Sequence, residues 1–188
     1  LDRAVGGGPF ASLYDARAPH SCMGFQAAYS RYLRSAYVIG DDDALTHART
    51  GGIWRYSFDS ATWMQLPASI AVGEPLAATV SFRDGGLYVL DETTEGGESF
   101  ARLLRFDALQ GGGAELARWP RQGTFNRLWL EIDRRGHLVL VASSNTTGQS
   151  QAFRLGIDTD ELPVTRIYQG ALPLVWPLLI DKRGTVAH

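Results

Sequence analysis

Carboxylates gathered in short stretches are where this sequence concentrates its chemistry. Asp41, Asp42 and Asp43 are consecutive, His47 follows four residues later, and Glu92, Glu95 and Glu98 trail Asp91 at close spacing. Carboxylate oxygens are the ligands of hard cations such as calcium, and exposed acidic groups steer cationic partners. Asn145 falls in a third such stretch and opens an Asn-Thr-Thr sequon, an acceptor for a glycan in a secretory eukaryotic host. An EF-type loop would add a turn glycine and a twelfth-position glutamate. Neither follows Asp41, so the run reads as an acidic loop rather than a built cation site.

The other reactive side chains are dispersed. His20, His47, His137 and His188 stand at unrelated positions, whereas metal ligands converge on one geometry; no metal and no cofactor is expected. Cys22 is the one cysteine, which rules out an intrachain disulfide framework and leaves it as a small buried hydrophobe. Arg55 and Arg154 occupy equivalent strand positions. A guanidinium fork can grip a carboxylate bidentately, but the expectation is a stem packed between sheets. There is no phosphate-cradling glycine loop or nucleophile elbow, and no catalytic residue is assigned. Formal net charge is −2, so no global basic field favours nucleic acid. The longest nearly apolar run, from Ala171 to Ile180, falls well short of the roughly 20 residues that span a bilayer, so no membrane insertion is expected.

What must position these groups is a set of short strands. From Gly51 to Pro67 the chain alternates Ile53, Arg55, Ser57 with Trp54, Tyr56, Phe58, breaks at Asp59-Ser60, and resumes from Thr62 to Leu66. Period-2 alternation rich in aromatic and β-branched residues predicts strands, and Asp-Ser is turn chemistry. The plan recurs. Phe58-Asp59, Phe106-Asp107 and Ile157-Asp158 end three such strands at intervals of 48 and 51; Tyr37-Val38-Ile39, Tyr88-Val89-Leu90 and Val139-Leu140-Val141 form a second series. A third is Arg83-Asp84-Gly85-Gly86, Asp133-Arg134-Arg135-Gly136 and Asp181-Lys182-Arg183-Gly184. A shared period near 50, with four strands per unit and no helical window, predicts an all-β protein: a β-propeller of antiparallel four-stranded blades.

The units expected are residues 16–67, 68–120 and 121–169, flanked by 1–15 as the end of one blade and 170–188 as the first half of another. The strands expected are His20–Tyr29, Ala36–Ile39, Ile53–Phe58 and Thr62–Leu66; Ala77–Phe82, Leu87–Leu90, Ala101–Phe106 and Ala114–Trp119; Arg127–Ile132, His137–Val141, Ala152–Ile157 and Val164–Tyr168; then Leu174–Ile180 and Thr185–Ala187. Opening late in one blade and stopping midway through another, the chain is expected to belong to a larger or split propeller, with a closed four-bladed ring as the rival. The connections between second and third strands are expected to be long loops, 40–52, 91–100 and 142–151, emerging on one face. Loops on a rigid scaffold carry binding residues, which makes Asp41, Asp42, Asp43, His47, Glu92, Glu95, Glu98 and Asn145 the binding candidates. The partner would be a protein or the remainder of a longer chain, with a cationic ligand as an option.

Arg17-Ala18-Pro19-His20-Ser21, Tyr37-Val38-Ile39-Gly40, Tyr56 and Trp63 together resemble a kelch repeat across one unit. The family's Gly-Gly doublet after the second strand is replaced by Gly40-Asp41, Leu90-Asp91 and Ala142-Ser143. The resemblance implies a propeller, of the kind also found in galactose oxidase, and use as a non-catalytic protein-interaction platform. Ser57-Phe58-Asp59-Ser60-Ala61-Thr62-Trp63 looks like the Asp-box of sialidase-type propellers without its glycine. That likeness keeps a glycan-binding or glycan-hydrolysing reading open. A copper oxidase of galactose-oxidase type, with its tyrosine and histidine ligands, stands behind it.

Overall fold

In a computed structural model, residues 26–40, 52–120, 127–133, 135–144, 147–156, 164–171, 179–180 and 186–187 are described. Three four-stranded antiparallel sheets follow one another along the chain, each a meander in sequence order. The first holds β1 (Gln26–Ser30), β2 (Ser35–Ile39), β3 (Ile53–Ser57) and β4 (Thr62–Leu66). The second holds β5 (Glu74–Val80), β6 (Gly86–Glu95), β7 (Glu98–Asp107) and β8 (Gly111–Pro120). β9 (Arg127–Ile132), β10 (Leu138–Ser143), β11 (Gln149–Leu155) and β12 (Val164–Ala171) make the third, and β13 (Leu179–Ile180) pairs with β14 (Val186–Ala187). No described residue is helical.

Register explains why each strand is written as it is. Ile39 faces Ile53, which faces Leu66, and all three are buried. In the second sheet Leu87 stands opposite Val80 and Phe106. Alternate residues therefore point to opposite faces, and each face meets a neighbouring sheet. Tyr37, Ile39, Ile53 and Leu66 of the first sheet pack with Val80, Leu87, Val89, Leu104 and Phe106 of the second. The second sheet's other face, with Ala77, Tyr88, Leu90 and Leu103, packs on Leu130, Leu138 and Leu155 of the third. Burial of such side chains contributes roughly 1.5–3 kcal/mol each, so a sheet of this size is stable only between two others. β1 lies beside β5 and β5 beside β9, so the first strands stand next to one another while β4, β8 and β12 close the far edges. This is the blade arrangement that the repeat period predicts.

Two expected loops are corrected. Residues 91–100 form no long loop: β6 and β7 run on as a ten-residue hairpin closed by Gly96-Gly97. Both glycines take positive φ, 60° and 87°, as a two-residue turn that follows the strand twist requires. In the third sheet the ladder continues to Ser143↔Ser150, which shortens that connection to 144–148. Charged and small residues suggested loops there, but cross-strand partners hold them in the ladder. Residues 41–51, the other expected long loop, lie outside the described residues, as do both chain ends.

Candidate functional site

At the end of the sheets where second strands meet third strands, β6 and β7 are longer than the corresponding strands of the other two sheets. β2 and β3 have five residues each, β10 six and β11 seven, against ten in β6 and in β7. At roughly 3.3 Å per residue the extra length makes an arm of about 13 Å. β8, also of ten residues, supports it as far as the pairing of Phe100 with Pro120.

A buried ion pair fixes the root of the arm. Asp91 is fully buried and stands opposite Arg102. Arg102 Nε donates to Asp91 Oδ1 at 3.0 Å and Nη2 to Oδ2 at 2.6 Å, the bidentate geometry that makes such pairs strong. The same guanidinium donates from Nη2 to the Ala71 carbonyl, and the Gly73 N–H donates to Asp91 Oδ2 at 2.6 Å. The arm is thereby tied to the segment joining the first two sheets. Gly73 is required there, because a β-carbon on it would stand 2.1 Å from the Glu92 carbonyl oxygen.

Further out, the arm is charged. Arg118 on β8 donates to Glu95 from Nη1 at 2.6 Å and to Glu115 from Nε at 2.8 Å, with its guanidinium carbon 5.5 Å from the Phe100 ring centre. The Arg118 hydrogen bonds hold the Glu115 carboxyl below the usual glutamate range. Glu95 and Glu98 flank the turn as a cross-strand pair and both are exposed. Glu92 is half-buried opposite Glu74. Of the expected binding residues, the structure thus brings Glu92, Glu95 and Glu98 onto one hairpin. Asp41, Asp42, Asp43, His47 and Asn145 lie outside the described residues, as do His20, Cys22 and His188. His137 is described, and its Nδ1 is 2.9 Å from Asp133 Oδ2 within its own turn.

At the opposite end, strand-three arginines recur as a set of three. Arg55, Arg105 and Arg154 stand opposite Tyr37, Tyr88 and Val139. Arg55 Nε donates to Ser35 Oγ at 3.0 Å and Arg105 Nε to Asp84 Oδ2 at 3.1 Å, while Arg154 Nε is 3.9 Å from Asp133 Oδ2. Each reaches the turn between first and second strands of its own sheet. The equivalence of Arg55 and Arg154 was legible in the repeat; Arg105 was missed because aligning Phe106-Asp107 with Phe58-Asp59 sets it against Ser57, whereas the ladders place Arg55 opposite Tyr37 and Arg105 opposite Tyr88. Asp84 also accepts from Tyr88 Oη at 2.7 Å and from the Gly86 N–H. Burial raises its pKa, but bonds from Ser81, Tyr88, Gly86 and Arg105 more than reverse this and hold it below the usual value. Asp133 behaves alike: burial is outweighed by bonds from His137 and Arg135. These arginines and aspartates secure turns.

No protein-family model matches the sequence, and no curated protein matches it. Solved structures do. A variant of the exo-β-1,3-galactanase of Phanerochaete chrysosporium, crystallised with β-1,3-galactotriose, matches with a TM-score of 0.51 at 13% identity, over 80% of this chain and 39% of that one. The endo-arabinase of Bacteroides thetaiotaomicron matches with a TM-score of 0.45 at 16% identity, over 78% and 55%. Chaetomium thermophilum Sqt1, bound to the N-terminus of a ribosomal protein, matches with 0.40 at 14%, over 79% and 37%. The chain spans 41% and 39% of the length of the first two structures it matches. With the sheets described above, the fold class is a β-propeller. Likeness at such identity shows the fold alone.

Proposed function

We propose that this chain is a non-catalytic interaction module of kelch-like pattern, and that its binding element is the end of the scaffold carrying the β6–β7 arm. The observation behind this reading is the arm itself: a rigid hairpin rooted by the Asp91–Arg102 pair, with Glu92, Glu95 and Glu98 along its outer half. Asp41, Asp42, Asp43, His47 and Asn145 remain candidates from the sequence and lie outside the described residues. The partner is a protein, or the remainder of a longer chain, that presents cationic groups. Glu95 and Glu98 are exposed, Glu95 with Arg118 as a partner, and exposed charges act mainly on association rate. The test is the triple variant Glu92→Gln, Glu95→Gln, Glu98→Gln, with a fluorescent lysine-rich peptide as probe in stopped flow. Association should slow several-fold at low ionic strength and converge with the wild type at high salt; equal rates at both would place the binding surface elsewhere.

A glycan-directed reading has one observation in its favour. Trp129, 44% exposed, and Glu131, also exposed, share a face of β9, and partial desolvation shifts the Glu131 carboxyl upward, the direction a general acid uses. Glycoside hydrolysis needs a second carboxyl across the scissile bond. The other carboxyls with resolved shifts among the described residues, Asp84, Glu115 and Asp133, are shifted downward. Release of sugar from β-1,3-galactan or arabinan, abolished by Glu131→Gln, would establish this reading over the first.

A further inference from the structure

The end of the propeller opposite the arm carries a second surface with different chemistry. Tyr32, in the β1–β2 turn, is 73% exposed, and Phe82, in the β5–β6 turn, is 44% exposed. Their rings lie 5.7 Å apart across the seam between the first two sheets. Neighbouring Phe82, the Arg83 side chain reaches the β9–β10 turn of the third sheet, its Cδ 2.8 Å from where a β-carbon on Gly136 would stand. Turns from three successive sheets therefore form one continuous surface. Exposed arginines border it: Arg31 beside Tyr32, Arg83 beside Phe82 and Arg135 beside Gly136.

The acidic groups in this region are engaged by donors, Asp133 buried and Asp59, Asp84 and Asp107 at the surface. Asp84 accepts from Tyr88 Oη, Arg105 Nε and the Gly86 N–H, Asp107 accepts the N–H groups of Leu109 and Gln110, and Asp133 holds its own turn. Asp59 is paired with Arg34. These carboxylates have their charge met within the turns, while Arg31, Arg135 and the two aromatic rings are exposed. Arginine and aromatic residues together are the enriched composition of protein-recognition surfaces.

We propose that this turn surface docks an acidic protein segment with at least one aromatic or aliphatic anchor. The anchor packs on the Tyr32–Phe82 pair, and glutamate or aspartate side chains on either side engage Arg31 and Arg135. A peptide occupant is favoured over a nucleic acid because the basic surface is local on a chain of net charge −2, and a long polyanion needs an extended basic track. The proposal is independent of the arm, which lies at the other end of the sheets and seeks cations.

The test measures fluorescence anisotropy of the whole chain with four probes: a random glutamate–tyrosine copolymer, polyglutamate, heparin and a 20-residue oligothymidylate. The copolymer should bind most tightly, with polyglutamate weaker. Arg31→Glu with Arg135→Glu, both exposed, should lower copolymer affinity by about tenfold or more through loss of charge-assisted bonds. Tyr32→Ser with Phe82→Ser should bring the copolymer down to the polyglutamate level, and melting curves of each pair check the fold. Should one pair unfold, the other decides. The arm variant Glu92→Gln, Glu95→Gln, Glu98→Gln should leave copolymer affinity unchanged, so failure of the arm reading does not touch this one. Copolymer binding untouched by both pairs overturns the proposal, and so does tighter binding of heparin or oligothymidylate.

Discussion

Replacing Arg102 by methionine probes the root of the arm. The substitution keeps most of the side-chain stem and removes the guanidinium, leaving Asp91 fully buried with the Gly73 N–H as its remaining donor among the contacts described. Lost with the guanidinium are two bonds to the carboxylate and one to the Ala71 carbonyl. Breaking a buried pair from one side costs about 3–5 kcal/mol, chiefly because a charge is left without its partner. For a chain of this size about 1 kcal/mol corresponds to 2–4 °C in Tm. The melting temperature should therefore fall by roughly 6–20 °C, with a matching shift of the urea midpoint.

The second half of the experiment separates the pair from packing. Asp91→Leu together with Arg102→Met replaces both charges by apolar side chains, and such replacements of buried pairs are commonly neutral or stabilising. The double variant should recover most of the stability lost in Arg102→Met. Two results would refute the reasoning: a single variant costing under about 1 kcal/mol, against the 3–5 expected, or a double variant no better than the single. Either would mean that Asp91 reaches water, and that the arm is held by its ladder alone.

Other outcomes follow from named contacts. Gly73→Ala drives a β-carbon into the Glu92 carbonyl and should cost about 1–3 kcal/mol by urea denaturation. Leu104→Ala, at a fully buried site between the first two sheets, should cost about 2–5 kcal/mol in the same assay. Asp84 and Asp133 have folded pKa values below the ordinary 3.8. Their contribution is complete above that value and disappears as pH falls through the lower folded values, so urea midpoints should drop at acid pH, less steeply in Asp84→Asn. A Trp63→Ala variant should melt earlier, since Trp63 stacks at 5.2 Å on the buried Tyr56; an unchanged Tm would remove the tyrosine–tryptophan pair from the supports of the first sheet.

Strand positions were legible because the pattern that places them is local. Alternation within five to seven residues and a period near 50 locate every described strand of the first three sheets, though β6, expected as Leu87–Leu90, runs on to Glu95. The arm was not legible in the same way. Asp91, Glu92 and Glu95 are residues that loops favour, and only the partner strand, with Arg102 eleven positions away, explains why Asp91 stays in the ladder. One signal was present: Gly96-Gly97 flanked by Thr94, Glu95, Glu98 and Ser99 is a two-residue hairpin turn. Tyr32 and Phe82 lie about one repeat apart, and nothing in either turn announces that their rings meet. That contact depends on the stacking of sheets, which periodicity predicts in kind but not in detail.

The same division governs how charge is used at the two ends. A carboxylate inside a ladder or turn is stable only when donors surround it, as Asp91, Asp84 and Asp133 are surrounded, and its charge is then spent within the fold. The groups that remain exposed are those at the turns: Glu98 at the tip of the arm, Arg31 and Arg135 at the opposite end. Because a meandering antiparallel sheet sends alternate connections to opposite ends, residues following even-numbered and odd-numbered strands collect on different surfaces. A repeat can therefore carry acidic groups at one end and basic groups at the other with one core between them, and a small net charge conceals both.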